Sequence, residues 1–441
     1  MKVMQRRRPT LWAASVAAVW FVQQRPAAAT QPLGEFLERA EKQNFDAREA
    51  RATEQQRAAE ADGAFGRLLP SLTARGVYTH NQYEAAITPP GATAPVVITP
   101  QDQLDAFLQL DVPLIDLANY HRYHAATALQ QAAGAQREAV VVDVSRSVVR
   151  AYYQFHGAAA LVHSADSSIS AAEANLKLVD ERRGAGAATD LDHERAAASL
   201  ARAQQDAADA SLAVSLSGRA LETLSGLSPQ PAGAFPEDNL QAETPLDGWL
   251  TRTKDAPALR AVRHQTEAAV ENRKAAGRSL LPTLSGSAQE RLTNATGFAG
   301  RNASYTLQLV LGWRLDYGLL AARDAQDSAL AVQTVRLERS ERAAADATFE
   351  AFRRIEAGIV KSRAARVQAQ AAARAAELSQ IRYEAGVATQ LDVTQAQRDA
   401  FLASAARIQA DSDLAYARAA LRLAVGVTVA GVASAAPEKS P

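Results

Sequence analysis

Two kinds of pattern organise this chain of 441 residues, and both recur in the same order in its two halves. Four short segments alternate with a period of two. In the first, about 70–82, Leu72, Ala74, Gly76 and Tyr78 share one face, and Thr73, Arg75, Val77 and Thr79 share the other. In the second, about 103–113, Leu104, Ala106, Leu108, Leu110 and Val112 oppose Asp105, Phe107, Gln109 and Asp111. The third, about 283–293, sets Ser285, Ser287, Gln289 and Arg291 on one face. In the fourth, about 304–314, Tyr305, Leu307, Leu309, Leu311 and Trp313 alternate with Thr306, Gln308, Val310 and Gly312. This period predicts strands with one apolar and one polar face.

Long stretches rich in Ala, Gln, Arg and Glu surround the strands and predict helices. They cover about 33–68, 117–183, 190–224, 246–280, 317–384 and 390–425, with Pro70 and Pro282 breaking the helix before a strand. Asn81 to Gln101 reads as a loop by its Pro, Gly and Thr content, and Ser228 to Asn239 as a linker. Glycine turns at Gly184, Gly186 and Gly386 reverse the longest helices, with Thr189 or Asp190 as the cap of the returning one.

The halves are copies. Arg182, Gly186, Ala188, Thr189, Leu191 and Asp192 recur as Arg382, Gly386, Ala388, Thr389, Leu391 and Asp392 at a constant offset of 200. Leu68 to Leu72 (LLPSL) returns as Leu280 to Leu284 (LLPTL) at an offset of 212. Repetition that keeps its order over this length marks a duplicated structural unit. The chain divides into a first repeat at 30–227, a linker at 228–245, a second repeat at 246–430 and a disordered tail at 431–441.

The first 29 residues have the plan of a signal peptide: Arg6 to Arg8 are basic, Leu11 to Val22 apolar, and Ala27 to Ala29 small. The alternative, a transmembrane anchor, needs about 18 apolar residues, and this run is shorter. Cysteine is absent, which removes disulfides, thiolate metal sites, cysteine nucleophiles and a lipid-anchoring cysteine. The 48 basic residues balance 48 acidic ones, so nothing electrostatic favours nucleic acid.

Strands of about ten residues with one apolar face fit a tilted transmembrane β-strand. Tyr305 and Trp313, near the strand ends, suit interfacial aromatic girdles. Four such strands cannot close a barrel, and open edges in lipid strand their backbone groups. Closure by several copies resolves this and makes a cyclic homo-oligomer a requirement. A soluble sheet packed on helices is the alternative reading of the same alternation.

No catalytic constellation is present. His121 and His124 share a helix face but have no further metal ligands nearby in sequence. His193 beside Asp192 reads as structural, and no nucleophile-elbow or phosphate-loop pattern occurs. No enzyme activity and no cofactor are expected.

Arg382 to Gln397 (RYEAGVATQLDVTQAQ) resembles the hallmark segment of the TolC family of outer-membrane efflux proteins. LLPSL, LLPTL, the VPLIDLANY segment and the two-fold repeat occupy the places that family gives them. The resemblance implies a mainly α protein with a membrane β-barrel, each repeat giving two strands and long antiparallel helices. It implies a homotrimer with a 12-strand barrel in outer-membrane lipid and a helical tunnel through the periplasm. The partners it implies are a periplasmic adaptor and an inner-membrane transporter, in a tripartite pump or type I secretion system. A soluble periplasmic coiled-coil adaptor is the alternative; it leaves the alternating strands unexplained.

By the same resemblance Asp392 matches a lumen-facing acidic position at the periplasmic entrance, Tyr383 a gate-bonding tyrosine, and Asp192 the acidic partner in the other repeat. Capping of helix N-termini is the other reading of both aspartates. Arg182, Gly186, Arg382 and Gly386 are candidates for helix turns or for the surface an adaptor grips. Three departures stand out: Gln395 replaces a second acidic position, the second strand-to-helix junction (Gly312 to Asp316) lacks the proline present at Pro113 in the first, and Arg183 stands where the second repeat has Tyr383.

Overall fold

The protein alternates helix pairs with strand pairs, twice. The structure, a computed structural model, describes residues 31–426 except 92, 94, 231–234, 236 and 237. The signal-like segment 1–29 and the tail 431–441 lie outside the described residues. The first repeat runs α1 (Leu33–Gln43), α2 (Phe45–Gly66), β1 (Ser71–His80), β2 (Ala85–Ile87), β3 (Val96–Thr99), β4 (Asp102–Ile115), α3 (Leu117–Gly184) and α4 (Asp190–Ser225). The second runs α5 (Leu246–Thr253), α6 (Pro257–Arg278), β5 (Thr283–Thr293), β6 (Ala303–Gly312), α7 (Tyr317–Glu384) and α8 (Gln390–Ala424).

Three details differ from the sequence reading. The first helix breaks at Asn44, whose extended backbone ends α1 while its side chain accepts a hydrogen bond from the Asp46 N–H to start α2. The helix after the linker breaks before Pro257, because proline forces Ala256 out of the helical region (φ −56°, ψ 134°). The loop after β1 contains a small hairpin, β2 paired with β3.

The four long strands form one antiparallel sheet in the order β1-β4-β5-β6. Its register places Leu72 opposite Leu110, Leu110 opposite Ala288, and Ala288 opposite Leu307. The next row is polar: Thr73, Gln109, Gln289 and Thr306. That face is therefore apolar apart from Glu290 and, at the loop end, His80 and Asp102, and Leu72, Leu104, Leu307, Leu309 and Leu311 are exposed on it. No helix covers that face among the described residues. β1 and β6 each keep one unpaired edge in the single chain.

Each sheet pair feeds a long helix through an identical device. Asp116 accepts a hydrogen bond from the Asn119 N–H at 2.8 Å, and Asp316 one from the Leu319 N–H at 2.9 Å. Helices α3 and α7 then run for 68 residues each, about 100 Å at 1.5 Å per residue. Their packing rests on alanine. Ala118, Ala125, Ala132 and Ala139 of α3, Ala196, Ala203 and Ala210 of α4, and Ala261, Ala268 and Ala275 of α6 are all buried at seven-residue intervals. A strict heptad keeps one seam facing its neighbour as the helices supercoil, and methyl side chains let the axes approach closely. α3 lies against α2, α4, α6 and α8, and α7 against α6 and α8.

A belt of larger side chains encircles the middle of this bundle. Phe36, Leu37, Val148, Val149, Leu221 and Leu423 form one core, and Trp249, Ile355, Leu414 and Leu421 another. The end of the linker is pinned there: Arg418 donates to Glu243 at 2.6 Å and to Asp238 at 3.0 Å. His156 is buried beside the Tyr152 ring at 4.3 Å, and burial lowers its pKa to about 4.

That burial sets a pH dependence. The unfolded chain takes up a proton near pH 6.5 while the folded imidazole stays neutral, so stability falls as pH drops from about 6.5 toward about 4. His156→Phe is expected to flatten this part of the thermal-melting profile. Identical profiles for the two proteins between pH 7 and 4.5 contradict the assignment.

Candidate functional site

The two helix hairpins turn back at the end of the molecule far from the sheet, and their turns are copies. In the first, Ala187 N–H bonds Arg182 O at 2.8 Å and Gly186 N–H bonds Arg183 O at 3.0 Å. In the second, Val387 N–H bonds Arg382 O at 2.9 Å and Gly386 N–H bonds Tyr383 O at 2.9 Å. This pair of bonds closes a helix only when the residue after the cap is left-handed. Gly186 (φ 75°) and Gly386 (φ 76°) meet that need. No atom lies within 4 Å of where a Cβ would stand at either, so backbone conformation alone accounts for glycine.

The returning helices start with capping boxes. Thr189 and Thr389 are the N-caps, and Asp192 and Asp392 reach back to them. Asp392 Oδ2 accepts from the Thr389 N–H at 2.8 Å and from its hydroxyl at 2.7 Å. Asp192 Oδ2 makes the same two bonds to Thr189 at 3.2 and 2.8 Å. The Thr389 backbone N–H, its hydroxyl and the nearby Arg382 charge hold the Asp392 carboxyl below the usual carboxylate range. Asp392 is thus both a cap and a persistent, solvent-facing anion. Both bonds use one oxygen, Oδ2.

The repeats are joined at the tips through Arg182. Its guanidinium lies 4.5 Å from the centre of the Tyr383 ring and donates to Glu384 O at 2.6 Å. Tyr383 is buried, packed among Val179, Ala196 and Val393. The sequence candidates Arg182 and Tyr383 therefore meet each other, across an interval of about 200 residues. Arg183, the counterpart of Tyr383, instead stays exposed near Asp180 and Asp190 at 3.8 and 3.7 Å. At the position of the missing second acid, Gln395 bonds Asp399 at 3.1 Å.

At the other end Tyr305 is exposed on the apolar face, and Trp313 is exposed just beyond β6, donating to Leu280 O at 3.1 Å. They mark opposite ends of that face. Tyr78 joins Tyr305 at the loop end, its hydroxyl donating to Asp102 at 2.7 Å. Sequence reasoning passed over Tyr78, although its parity with Leu72 was visible. His121 bonds Glu271 at 2.7 Å and the His124 ring meets Tyr120 at 4.4 Å. Among the described residues no group of three or more His, Cys, Asp or Glu side chains is placed to hold a metal, and no helix is long and apolar enough to cross a membrane.

Comparison with known proteins agrees with this geometry. The chain is 28% identical over 315 residues to the outer membrane protein OprJ of Pseudomonas aeruginosa, a match covering 68% of this chain and 64% of OprJ. Its fold is similar to that of the outer-membrane channel OprN, with a TM-score of 0.77, 22% identity and 90% of each chain covered. It is also similar to the Campylobacter jejuni CmeC outer membrane channel, with a TM-score of 0.78, 17% identity, and 95% and 94% of the two chains covered. The family model for outer membrane efflux proteins matches residues 36–227 and 253–427, both repeats and nearly all of the described chain, so the chain belongs to the outer membrane efflux protein family.

Proposed function

We propose that three copies close into one conduit, an exit duct in the outer membrane serving a tripartite efflux pump or type I secretion system. The observation that carries this reading is the sheet: one apolar face without a cover, and two unpaired edges. Pairing β6 of each copy with β1 of the next removes every edge and yields twelve strands, as lipid requires. The apolar face then meets hydrocarbon and the polar face lines water. The helices continue the wall into the periplasm, where the tips meet a periplasmic adaptor that links the duct to an inner-membrane transporter. The signal-like segment 1–29 suits export, and the barrel itself holds the protein in the membrane.

Conduction is passive, and the tips are the gate. Three-fold symmetry turns Asp392, and with it Asp192, into rings of carboxylates around the entrance. Like charges in a narrow pore attract cations and focus the field. Arg182 is the latch. Its contact with Tyr383 and the Glu384 carbonyl holds the second hairpin against the first, and an adaptor that grips Arg182, Arg382 and the two glycine turns would release it. The helix pairs then spread like an iris.

Purified trimers in planar bilayers test the reading, and failure to form any pore contradicts it. Asp392→Asn keeps the size of the cap but removes the charge. It is expected to weaken block by divalent cations added at the entrance, and unchanged block removes the gate assignment. Arg182→Ala is expected to raise open-state conductance. A cation–π contact contributes about 1 kcal/mol, so three tips moving together lose about 3 kcal/mol of closure. Conductance equal to wild type shows that the latch lies elsewhere.

A further inference from the structure

The polar face of the sheet carries a feature that the gate does not use. Register aligns Arg75 of β1, Phe107 of β4 and Arg291 of β5 in one row across three strands. The Arg75 guanidinium sits 4.9 Å from the centre of the Phe107 ring, and that of Arg291 sits 5.8 Å from it. The two arginines differ in their electrostatic company. Arg291 donates twice to Asp105 Oδ1, at 2.9 and 2.8 Å, and Gln103 donates to Oδ2 at 2.6 Å. Asp105 is buried and both its oxygens are engaged. Arg75 forms no ion pair among the described residues; the ring holds it against the wall.

We propose that Arg75 makes the exterior end of the lumen selective for anions. This rests on the closed trimeric barrel proposed above. Closure brings β6 of a second copy beside β1, and on this face β6 offers Ser304, Thr306, Gln308 and Val310, none of them charged. The neighbour therefore supplies no counter-charge, and three copies make a ring of three uncompensated guanidinium groups. Asp111 is the next acidic group on this face, four residues further along β4 from Phe107. At about 3.3 Å per residue it lies about 13 Å away, beyond the Debye length of about 8 Å at physiological salt. The Arg75 ring is therefore felt separately at its own level. The solutes it favours are anions, and amphipathic anions above all, because Phe107 gives an apolar surface beside the charge. The duct is then polarised: carboxylates at the periplasmic entrance, guanidinium groups at the exit.

The test uses the full-length trimer in planar bilayers under a potassium chloride gradient at about 0.1 M, where the Debye length of about 10 Å is still shorter than the separation from Asp111. Arg75→Gln is expected to lower the anion-to-cation permeability ratio by about a factor of two to three. The difference is expected to vanish at 1 M salt. Arg75→Cys, in a chain with no other cysteine, is expected to regain the wild-type ratio when a cationic methanethiosulfonate reagent reaches it from the exterior side. This compares the same inserted channel before and after labelling, so it does not depend on how well the Gln variant assembles. Pores of normal 1 M conductance whose low-salt selectivity ignores both changes overturn the anion ring and leave the duct standing. Absence of pores in wild type overturns both.

Discussion

A backbone N–H or C=O facing hydrocarbon without a partner costs several kcal/mol, and this sheet ends in two rows of them. Everything else in the structure accommodates that fact. Each repeat supplies two strands, the two repeats together four, and four strands cannot curl back on themselves around a channel. The apolar row through Leu72, Leu110, Ala288 and Leu307 suits a lipid boundary. The polar row beside it, through Thr73, Gln109, Gln289 and Thr306, suits water. A one-residue slip at either edge would exchange the two, so the faces fix the register as firmly as the hydrogen bonds do.

The helices answer a different demand, length without bulk. Alanine at every seventh position gives a seam narrow enough for close approach over about 100 Å, and it leaves little hydrophobic area to hold the assembly. The belt near Phe36, Trp249 and Leu414 concentrates the large side chains in one place, where Arg418 also fastens the linker. Rigidity is thus highest at mid-length. The tips have only the small cluster of Val179, Ala196, Tyr383 and Val393, with two capping boxes, two glycine turns and the reach of Arg182 to Tyr383. The gate proposed at that end falls where large buried side chains are fewer than in the belt.

Much of this was legible in the sequence, because period two and the Ala-rich helical stretches are strong signals and the repeat states each one twice. Strand ends were less so. β4 continues past Pro113, which stays opposite Ser285, and a bulge at Leu114 shifts the register before Ile115 meets Leu284. The breaks at Asn44 and Ala256 were hidden within helix-forming composition, although Asn44 before Asp46 and Ala256 before Pro257 carried the signal. The hairpin of β2 and β3 has too few residues to display a period. At the tips, the residue types were readable and the partners were not. Asp392 could be named as a cap or a gate anion from sequence, and the geometry makes it a cap that leaves the charge in place. The meeting of Arg182 with Tyr383 is a tertiary contact between repeats, and no local pattern encodes it.

In the proposed trimer, β1 of one copy lies beside β6 of another. Because the chain contains no cysteine, single cysteines placed along the polar face of β1, at Thr73, Arg75 or Val77, can be combined with single cysteines at Thr306, Gln308 or Val310 of β6 and oxidised in membranes. Pairs in register are expected to join copies into covalent dimers and trimers on a denaturing gel. Chains that remain monomeric for every combination, in protein shown to be folded, would contradict it.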